Sequence, residues 1–359
     1  MNTTAGIIQE DIAFIAAAPL AWEKLEGKTI LISGANGMIP AYLVETILHL
    51  NDHRFTKKAR VLGLVRNKEK ALQRFGHHAG RSDLALVVQD VIEPARVSGD
   101  LHYIIHAASQ ASPKFYGQDP IGTFSANVFG TKNMLDLALQ KQVKGFLFCS
   151  SSEVYGQVQD SGAIKETAYG YVDPANVRSC YAEGKRAGET LCFCWHHQHG
   201  VDIRIVRPFH TYGPGMSLDD GRVYADFIAD IVNNRDIAMK SDGLAVRAFC
   251  YVADAAVGFF TVLLEGQGGQ AYNVGNAEGN ISILDLAQLL VSLFPEKNLR
   301  VKRMPAPRQG YLQSPVARCS PDTAKIGALG WEPKYSIEEG FTRTIRSFDE
   351  SAAKIRAGI

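Results

Sequence analysis

A tyrosine and a lysine four positions apart, Tyr181 and Lys185 in the segment YAEGK, are the residues whose spacing points most directly to chemistry. If this segment is helical, the two side chains share one face. A neighbouring ammonium group lowers the pKa of a phenol, and such a phenol can take a proton from a hydroxyl group near neutral pH. The alternative interpretation is a surface pair with no chemical role.

A polar run upstream, SSSEVYG at positions 150–156, follows a predicted strand and adds reactive groups. Sites in α/β proteins lie at the carboxyl ends of the strands. A serine there can hydrogen-bond the same substrate oxygen as the tyrosine, while Glu153 supplies a carboxylate. The predicted catalytic set is therefore Tyr181, Lys185, Ser151, Ser152 and Glu153.

Short apolar runs alternate with helical patterns over the first half of the chain. The predicted strands are residues 29–33, 59–65, 84–90, 102–108 and 145–151, with a further strand in 201–208. Strands that alternate with helices indicate a parallel sheet covered on both faces. After about residue 207 the elements shorten, although a strand–helix pattern returns at 247–265 and a helix is predicted at 281–294, with Ser282 and Asp285 as its capping pair.

A glycine-rich turn, GANGMIP at positions 34–40, lies between the first predicted strand and a helical stretch. Glycines there let the backbone approach a pyrophosphate, and the helix N-terminus adds N–H donors and a favourable dipole. The spacing is Gly-x-x-Gly-x-x-Gly with Pro40 in the place of the third glycine, and proline is tolerated in a first helical turn. We predict that this turn binds a dinucleotide, although a tight turn can need glycine for its own conformation.

The end of the second predicted strand bears on the choice of cofactor. An acid that holds the adenosine ribose of NAD is usual there, but this chain has Arg66. An arginine suits the 2′-phosphate of NADP or stacks on adenine. Asp90 and Val91, at the end of the third predicted strand, are placed for the adenine edge. We predict NAD as the cofactor, with NADP left open by Arg66.

Composition excludes several classes of partner. The 359 residues carry 38 Lys and Arg against 37 Asp and Glu, a net charge of +1, so no charge excess favours nucleic acid or a membrane surface. No apolar run is long enough to span a bilayer, and residues 1–28 lack the basic start of a signal peptide. Six scattered cysteines indicate reduced thiols in a cytoplasm. Cys192 and Cys194, with the histidines at 196–199, are too close in a helix to share one side, so we expect no metal site.

The motifs together resemble the extended short-chain dehydrogenase/reductases of the nucleotide-sugar epimerase/dehydratase family, over roughly residues 27–348. They are GANGMIP, HAAS (106–109), Asn127, SSSEVYG, YAEGK, RPFHTYGPG (207–215), RAFCYV and YNVGN (272–276). Within that family, RSCYAEGKRAGET, DDGRV and the Ser-Ser-Glu order are most similar to UDP-glucuronate decarboxylases. The resemblance implies a nucleotide-sugar substrate, a role in polysaccharide biosynthesis, and a homodimer through the helices near 120–140 and 180–199, whose apolar residues lie on more than one side: Phe124, Val128, Met134, Leu191, Phe193 and Trp195.

The resemblance also assigns binding residues. The cofactor is expected to contact Gly34, Asn36, Gly37, Met38, Ile39, Arg66, Asp90, Val91, Ala107, Ala108, Ser109, Asn127, Tyr181, Lys185 and Pro208. The sugar and diphosphate are expected to contact Ser112, Ser151, Glu153, His210, Arg222, Val223, Arg247 and Arg318.

The fold expected from pattern and resemblance is α/β, a Rossmann-type doubly wound parallel sheet with a smaller C-terminal substrate-binding lobe. The expected division is an extension outside the core at 1–26, a dinucleotide-binding domain at 27–206 with a returning segment at about 241–275, a substrate lobe at 207–240 and 276–350, and a tail at 351–359.

Four functions remain open. Oxidation of a sugar C4 hydroxyl, with Tyr181 as base, makes a sugar with a C6 carboxylate a β-keto acid that can lose carbon dioxide. The same residues support 4-epimerisation. The dehydratase branch has an aspartic acid directly before the glutamate, and Ser152 cannot readily replace it, so 4,6-dehydration ranks lower. Arg66 favours an NADPH-dependent keto-sugar reductase, and intact Tyr181, Lys185 and Ser151 argue against a cofactor-binding protein without activity. Decarboxylation is the leading prediction.

Overall fold

The computed structural model describes residues 4–159, 162–304 and 316–357. Its strands are β1 (Thr29–Ser33), β2 (Arg60–Val65), β3 (Leu84–Val88), β4 (Tyr103–His106), β5 (Gly145–Cys149), β6 (Ile203–Pro208), β7 (His210–Tyr212), β8 (Ile237–Met239), β9 (Val246–Tyr251), β10 (Gln270–Val274), β11 (Asn280–Ser282), β12 (Val301–Arg303) and β13 (Arg318–Cys319). Its α-helices are α1 (Thr4–Ala16), α2 (Met38–His53), α3 (Lys68–Phe75), α4 (Pro113–Gln118), α5 (Pro120–Lys141), α6 (Ser179–His199), α7 (Val223–Val232), α8 (Val252–Glu265), α9 (Ile283–Ser292), α10 (Ala324–Gly327) and α11 (Ile337–Ala357). Single 3₁₀ turns lie at Trp22–Lys24, Gly76–His78, Ser152–Tyr155 and Pro295–Lys297.

A seven-stranded parallel sheet forms the centre, in the order β10-β6-β5-β4-β1-β2-β3. Strand β1 pairs with β2 on one side and β4 on the other, so Ile30 lies between Val61 and Tyr103. Alternate β1 side chains enter different cores: Ile30 and Ile32 pack on one face, and Leu31 packs on the other. Helix α8 covers one face along β5 and β6, while α5 and α6 cover the other. The predicted α/β fold with a doubly wound parallel sheet is confirmed.

A smaller unit follows the main sheet in sequence. Strand β9 lies between β11 and β13 and also pairs with β7, while β12 pairs with β8. The predicted cap of α9 is present, since Ser282 Oγ accepts the Asp285 N–H at 3.0 Å. Strand β10 returns from this part of the chain to the edge of the main sheet beside β6. The domain boundaries given above stay a prediction.

The sequence predicts that the N-terminal segment lies outside the core. In the structure this segment packs into the core instead. Ile12 and Ile15 of α1, together with Trp22 and Leu25, belong to the core on the α2 and α8 face of the sheet. Periodicity indicated an apolar face on this segment but not its partner, which is formed by α2, α8 and α11 from distant parts of the chain.

A buried carboxylate holds this segment in place. Asp11 is fully buried and accepts hydrogen bonds from the hydroxyls of Tyr42 at 3.0 Å and Tyr251 at 2.8 Å. Arg343 of α11 donates to its other oxygen at 2.8 Å. Burial raises the pKa of Asp11, and the two tyrosines and the arginine oppose that shift. The cluster therefore joins four separate parts of the chain around one charge.

Among the described residues no helix is both long and apolar enough to cross a bilayer.

The six cysteines are all free thiols, with Cys192 buried and Cys194 exposed as a helical segment requires.

We predict that Asp11→Ala lowers the free energy of unfolding by about 3–5 kcal/mol, because it leaves the Arg343 charge without its buried partner. Urea denaturation measures this. The control is Glu10→Ala: Glu10 is exposed and also pairs with Arg343, at 3.0 Å, so its loss should cost less than about 1 kcal/mol. Equal effects of the two substitutions would contradict the buried cluster.

Candidate active site

The glycine turn between β1 and α2 is shaped for close approach of a ligand. Gly34 has φ +67°, and a Cβ there would lie 2.8 Å from the Ala108 Cα. Gly37 is the N-cap of α2 and makes no side-chain hydrogen bond, so no capping side chain occupies the first N–H groups of this 16-residue helix. These features fit the pyrophosphate of a dinucleotide, because open N–H groups and the helix dipole favour an anion.

At the adenine side, the predicted residues lie beside one another. Arg66 follows β2, is largely exposed, and has its Nη1 3.8 Å from an Asp90 carboxylate oxygen. Val91 is buried against Gly130 of α5, where a Cβ would lie 2.7 Å from the Val91 Cγ1. Arg66 is therefore paired with an acid rather than isolated as a phosphate ligand.

The segment that follows β4 is held in place by hydrogen bonds to side chains of the protein. Ser33 Oγ accepts the N–H groups of Ala107 and Ala108, both at 3.1 Å, and lies 2.7 Å from the His106 Nδ1. Burial lowers the pKa of His106 to about 3, with Lys185 adding to the shift, so the ring is neutral. The loop is thus fixed in shape by neutral hydrogen bonds.

Next to this loop, polar atoms lack partners among the described residues: Ser109 Oγ, Thr123 Oγ1 and Asn127 Oδ1 are buried and make no hydrogen bond. Buried polar groups are normally satisfied. Their positions, one after β4 and two on α5, fit a cofactor whose own polar groups complete the set. Together with the glycine turn they support a site for NAD.

The pair on α6 is buried as a unit. Lys185 Nζ donates to the Cys149 carbonyl at 2.6 Å and lies 5.8 Å from the centre of the Tyr181 ring. Tyr181 stacks on Tyr116, with ring centres 5.0 Å apart, and is hydrogen-bonded to Ser151. This arrangement brings the predicted base, its lysine and its serine to the carboxyl end of β5.

The prediction that Lys185 lowers the pKa of Tyr181 stays a prediction, because burial dominates the pKa of this phenol in the structure. Burial raises the pKa of Tyr181, and the Ser151 hydrogen bond only partly opposes that shift. Burial also lowers the pKa of Lys185. The lysine donates to the Cys149 carbonyl, and its Nζ lies 5.8 Å from the centre of the Tyr181 ring.

Glu153 is held by a residue that the sequence analysis did not assign. Arg178 donates to both carboxylate oxygens of Glu153, at 3.0 and 3.1 Å, and its guanidinium lies 5.8 Å from the centre of the Tyr116 ring. A two-bond arginine–carboxylate pair fixes orientation as well as charge. The signal was present in the sequence, because Arg178 stands three positions before Tyr181 in RSCYAEGK. Tyr116 had no comparable signal.

A buried network behind the site joins α6 to three strands. Arg207 of β6 donates to both oxygens of Glu189 on α6, at 2.9 and 2.6 Å. Ser150, after β5, donates to Glu189 at 2.5 Å. Tyr155 accepts from Arg207 at 3.0 Å and donates to Asn273 of β10 at 2.5 Å. The network thus sets the position of α6 relative to the segment that carries Ser151 and Glu153.

One cavity of about 300 Å³ is lined by eleven of the predicted site residues. They are Met38, Ile39, Ser151, Ser152, Glu153, Tyr181, Pro208, His210, Arg222, Val223 and Arg247. The lining also includes Tyr116 and Arg178, which sequence reasoning missed, and the thiol-bearing Cys149 and Cys319.

Two arginines, Arg222 and Arg247, also line this cavity. Arg222 donates to the Ala111 carbonyl at 2.7 Å and pairs with Asp220 at 3.0 Å. Arg247 donates to the Val316 carbonyl at 2.7 Å. His210 lines the same cavity and has a buried Nδ1 that makes no hydrogen bond among the described residues. Burial, followed by the two arginines, lowers the pKa of His210 to about 3. Two guanidinium groups and a neutral donor suit a diphosphate.

Two predicted substrate residues do not line the cavity. Ser112 donates to the Asp220 carbonyl and accepts the Lys114 N–H, which makes it the cap of α4. Arg318 is exposed on β13. Both assignments stay predictions.

Comparison with known proteins agrees with this geometry. Residues 30–275 match the family model described as the NAD dependent epimerase/dehydratase family. UDP-glucuronic acid decarboxylase 3 of Arabidopsis thaliana is 37% identical over 319 residues, covering 87% of this chain and 86% of that protein. UDP-glucuronic acid decarboxylase 1 of Danio rerio is 35% identical over 323 residues, covering 89% of this chain and 72% of that protein.

Solved structures show the same fold. A dTDP-glucose 4,6-dehydratase of Streptomyces venezuelae with NAD bound superposes with a TM-score of 0.77 at 23% identity, over 90% of this chain and 98% of that one. A UDP-glucuronic acid 4-epimerase of Bacillus cereus, in complex with UDP-glucuronic acid and NAD, has a TM-score of 0.75 at 20% identity, over 90% and 99%. With this fold, this cavity and this degree of identity, the chain belongs to the NAD dependent epimerase/dehydratase family and is an enzyme.

Proposed function

We propose that the protein decarboxylates UDP-glucuronate through a 4-keto intermediate and releases a UDP-pentose. This proposal is supported most directly by the position of Glu153, which lines the same cavity as Tyr181 and Ser151. The Nη1 and Nη2 atoms of Arg178 orient the Glu153 carboxylate. Relatives named UDP-glucuronic acid decarboxylases, at 34–37% identity over most of this chain, support the same assignment. Ser152 occupies the position before Glu153, and a serine cannot act as the acid that dehydration at C6 requires.

The site residues divide the first step between them. Tyr181 removes the proton of the sugar 4-hydroxyl, and Ser151 holds that oxygen by a hydrogen bond. Lys185, within 6 Å of the phenol ring, supplies the positive charge that a buried phenolate needs. Residues of the glycine turn, with Ser109 and Asn127, would hold NAD, which would supply the hydride acceptor for the oxidation at C4 and the hydride donor for its reversal.

Loss of carbon dioxide then follows from the chemistry of the substrate. A C4 ketone lies β to the C6 carboxylate, so the C5–C6 bond can break and its electron pair can pass into the C4 enolate. A proton must then be added at C5. Glu153, oriented by Arg178, positions the group that delivers this proton. Arg222, Arg247 and His210 hold the diphosphate while these steps proceed.

We infer further that the protein acts in the cytoplasm, because its six cysteines are free thiols. A UDP-pentose is a donor for glycosyl transfer, which places the reaction before polysaccharide biosynthesis. The statement about polysaccharide biosynthesis rests on the proposed activity.

We also propose a homodimer through α5 and α6. Met134 is buried against the sheet, and Leu191 and Trp195 pack beside it. Phe124, Phe129 and Phe193 instead remain exposed on the two helices. Two long neighbouring helices with outward aromatic side chains form a surface that a second copy of the chain covers by two-fold symmetry.

Tyr181→Phe should reduce kcat by at least about 10³-fold, within the range that general acid–base catalysis contributes, and leave NAD binding intact. The phenylalanine ring retains the stacking on Tyr116 and loses only the hydroxyl. Turnover by coupled assay and NAD binding by fluorescence titration measure the two effects. Activity within about tenfold of wild type, a barrier change of only ~1.4 kcal/mol, would rule out the assigned base.

Glu153→Gln should separate the two halves of the reaction. Oxidation at C4, which is monitored by the absorbance of the reduced cofactor, should continue. Incorporation of solvent deuterium at C5 should fall by about 10²-fold or more. The control is Glu183→Gln on α6, a carboxylate paired with Arg186 and absent from the cavity lining. A wild-type product without deuterium at C5 excludes decarboxylation and leaves 4-epimerisation or reduction.

Phe129→Glu should convert the dimer to a monomer, because a carboxylate cannot be buried at an apolar interface without a partner. Sedimentation velocity at micromolar concentration measures the mass. Leu72→Glu, at an equally exposed apolar position on α3, is the control and should stay dimeric. A wild-type monomer would exclude the interface.

A further inference from the structure

Two histidines and a glutamate meet on the surface of the protein, away from the residues that line the cavity. Glu45 lies on α2, and His77 and His78 form the 3₁₀ turn that follows α3. His78 Nε2 is 2.6 Å from one carboxylate oxygen of Glu45, and His77 Nε2 is 3.1 Å from the other. One ligand atom from each residue lies within 4.8 Å of the other two.

Several features separate this cluster from an ordinary surface ion pair. The side chains of Glu45 and His78 are only 17% and 15% exposed, so the site is built into the contact between α2 and the turn. Both imidazole rings serve the same carboxylate, with their centres 4.0 Å apart. The nearby cation Arg74 is held by the Gly215 carbonyl at 2.7 Å. The two Nε2 atoms and the shared carboxylate are therefore arranged as three ligands of one metal ion would be.

We propose that Glu45, His77 and His78 form a Zn²⁺ site. Two imidazole nitrogens and a carboxylate oxygen are ligands that Zn²⁺ prefers, and three protein ligands leave the fourth tetrahedral position for water. Each Nε2 must present its lone pair to the metal, so binding displaces the Nε2–H protons that Glu45 accepts in the metal-free protein. The metal replaces a hydrogen-bonded contact between two elements with coordinate bonds.

The site would act as a structural clamp. Helix α2 starts at the glycine turn, and α3 starts two residues after Arg66, so both helices leave the dinucleotide site. A metal between Glu45 and the turn after α3 fixes the middle of α2 relative to the end of α3. This inference does not depend on the proposed substrate.

Zinc titration of the tag-free full-length protein, after treatment with a chelator, tests the proposal by isothermal calorimetry. We expect one Zn²⁺ per chain. Glu45→Gln and His78→Asn each change a proposed ligand, so each should weaken Zn²⁺ binding by at least about tenfold. Substitution of a residue that only supports a metal ligand already costs that much affinity. His197→Asn, an exposed histidine on α6, is the matched control and should bind as wild type does.

Co²⁺ provides a second measurement that needs no variant. A three-ligand site completed by water gives the intense visible absorption of tetrahedral Co²⁺, and Zn²⁺ should displace it. Stoichiometric binding that survives both Glu45→Gln and His78→Asn would overturn the proposal. Absence of tetrahedral Co²⁺ absorption in the wild-type protein would overturn it independently.

Discussion

The ion pair between Glu189 and Arg207 is the constraint on which the active site depends. Glu189 is on the same helix as Tyr181 and Lys185, and Arg207 is on β6, between β5 and the edge strand β10 of the parallel sheet. Both are mostly buried, and each makes a further hydrogen bond: Glu189 accepts from Ser150, and Arg207 donates to Tyr155. A buried pair of this kind contributes little net stability but is costly to break. Its effect here is geometric: α6 cannot move along the sheet without losing it.

From that fixed helix the rest of the site follows. Ser150 contacts Glu189, so the next residues, Ser151 to Glu153, leave β5 beside Tyr181. Arg178 stands at the start of the same helix and reaches Glu153 from the other side. The two carboxylates have different tasks. Glu189 fixes the position of α6 relative to the sheet. Glu153 lines the cavity, where its orientation affects the chemistry at C5 of the sugar.

The sequence alone predicted what local patterns encode. Five apolar runs became the strands β1 to β5, because a buried parallel strand needs little more than such a run. Tyr181, Lys185, Ser151 and Glu153 converge because each is tied to a strand end or a helix face. The sequence could not show Arg178 holding Glu153, Lys185 turning to the Cys149 carbonyl, or Trp22 entering the core, since each depends on contacts between distant segments. Glu45 and the histidine pair are likewise more than 30 residues apart, so only the fold reveals their contact.

The central claim is that this frame carries out decarboxylation of a nucleotide sugar rather than epimerisation or dehydration. The most direct measurement is mass spectrometry of the product after the purified enzyme and NAD are incubated with UDP-glucuronate, alongside UDP-glucose and dTDP-glucose as alternative substrates. The account predicts a UDP-sugar lighter than UDP-glucuronate by the mass of carbon dioxide, formed with catalytic NAD. A product of unchanged mass from UDP-glucuronate, or loss of water from a 6-hydroxymethyl substrate as the main reaction, would contradict it.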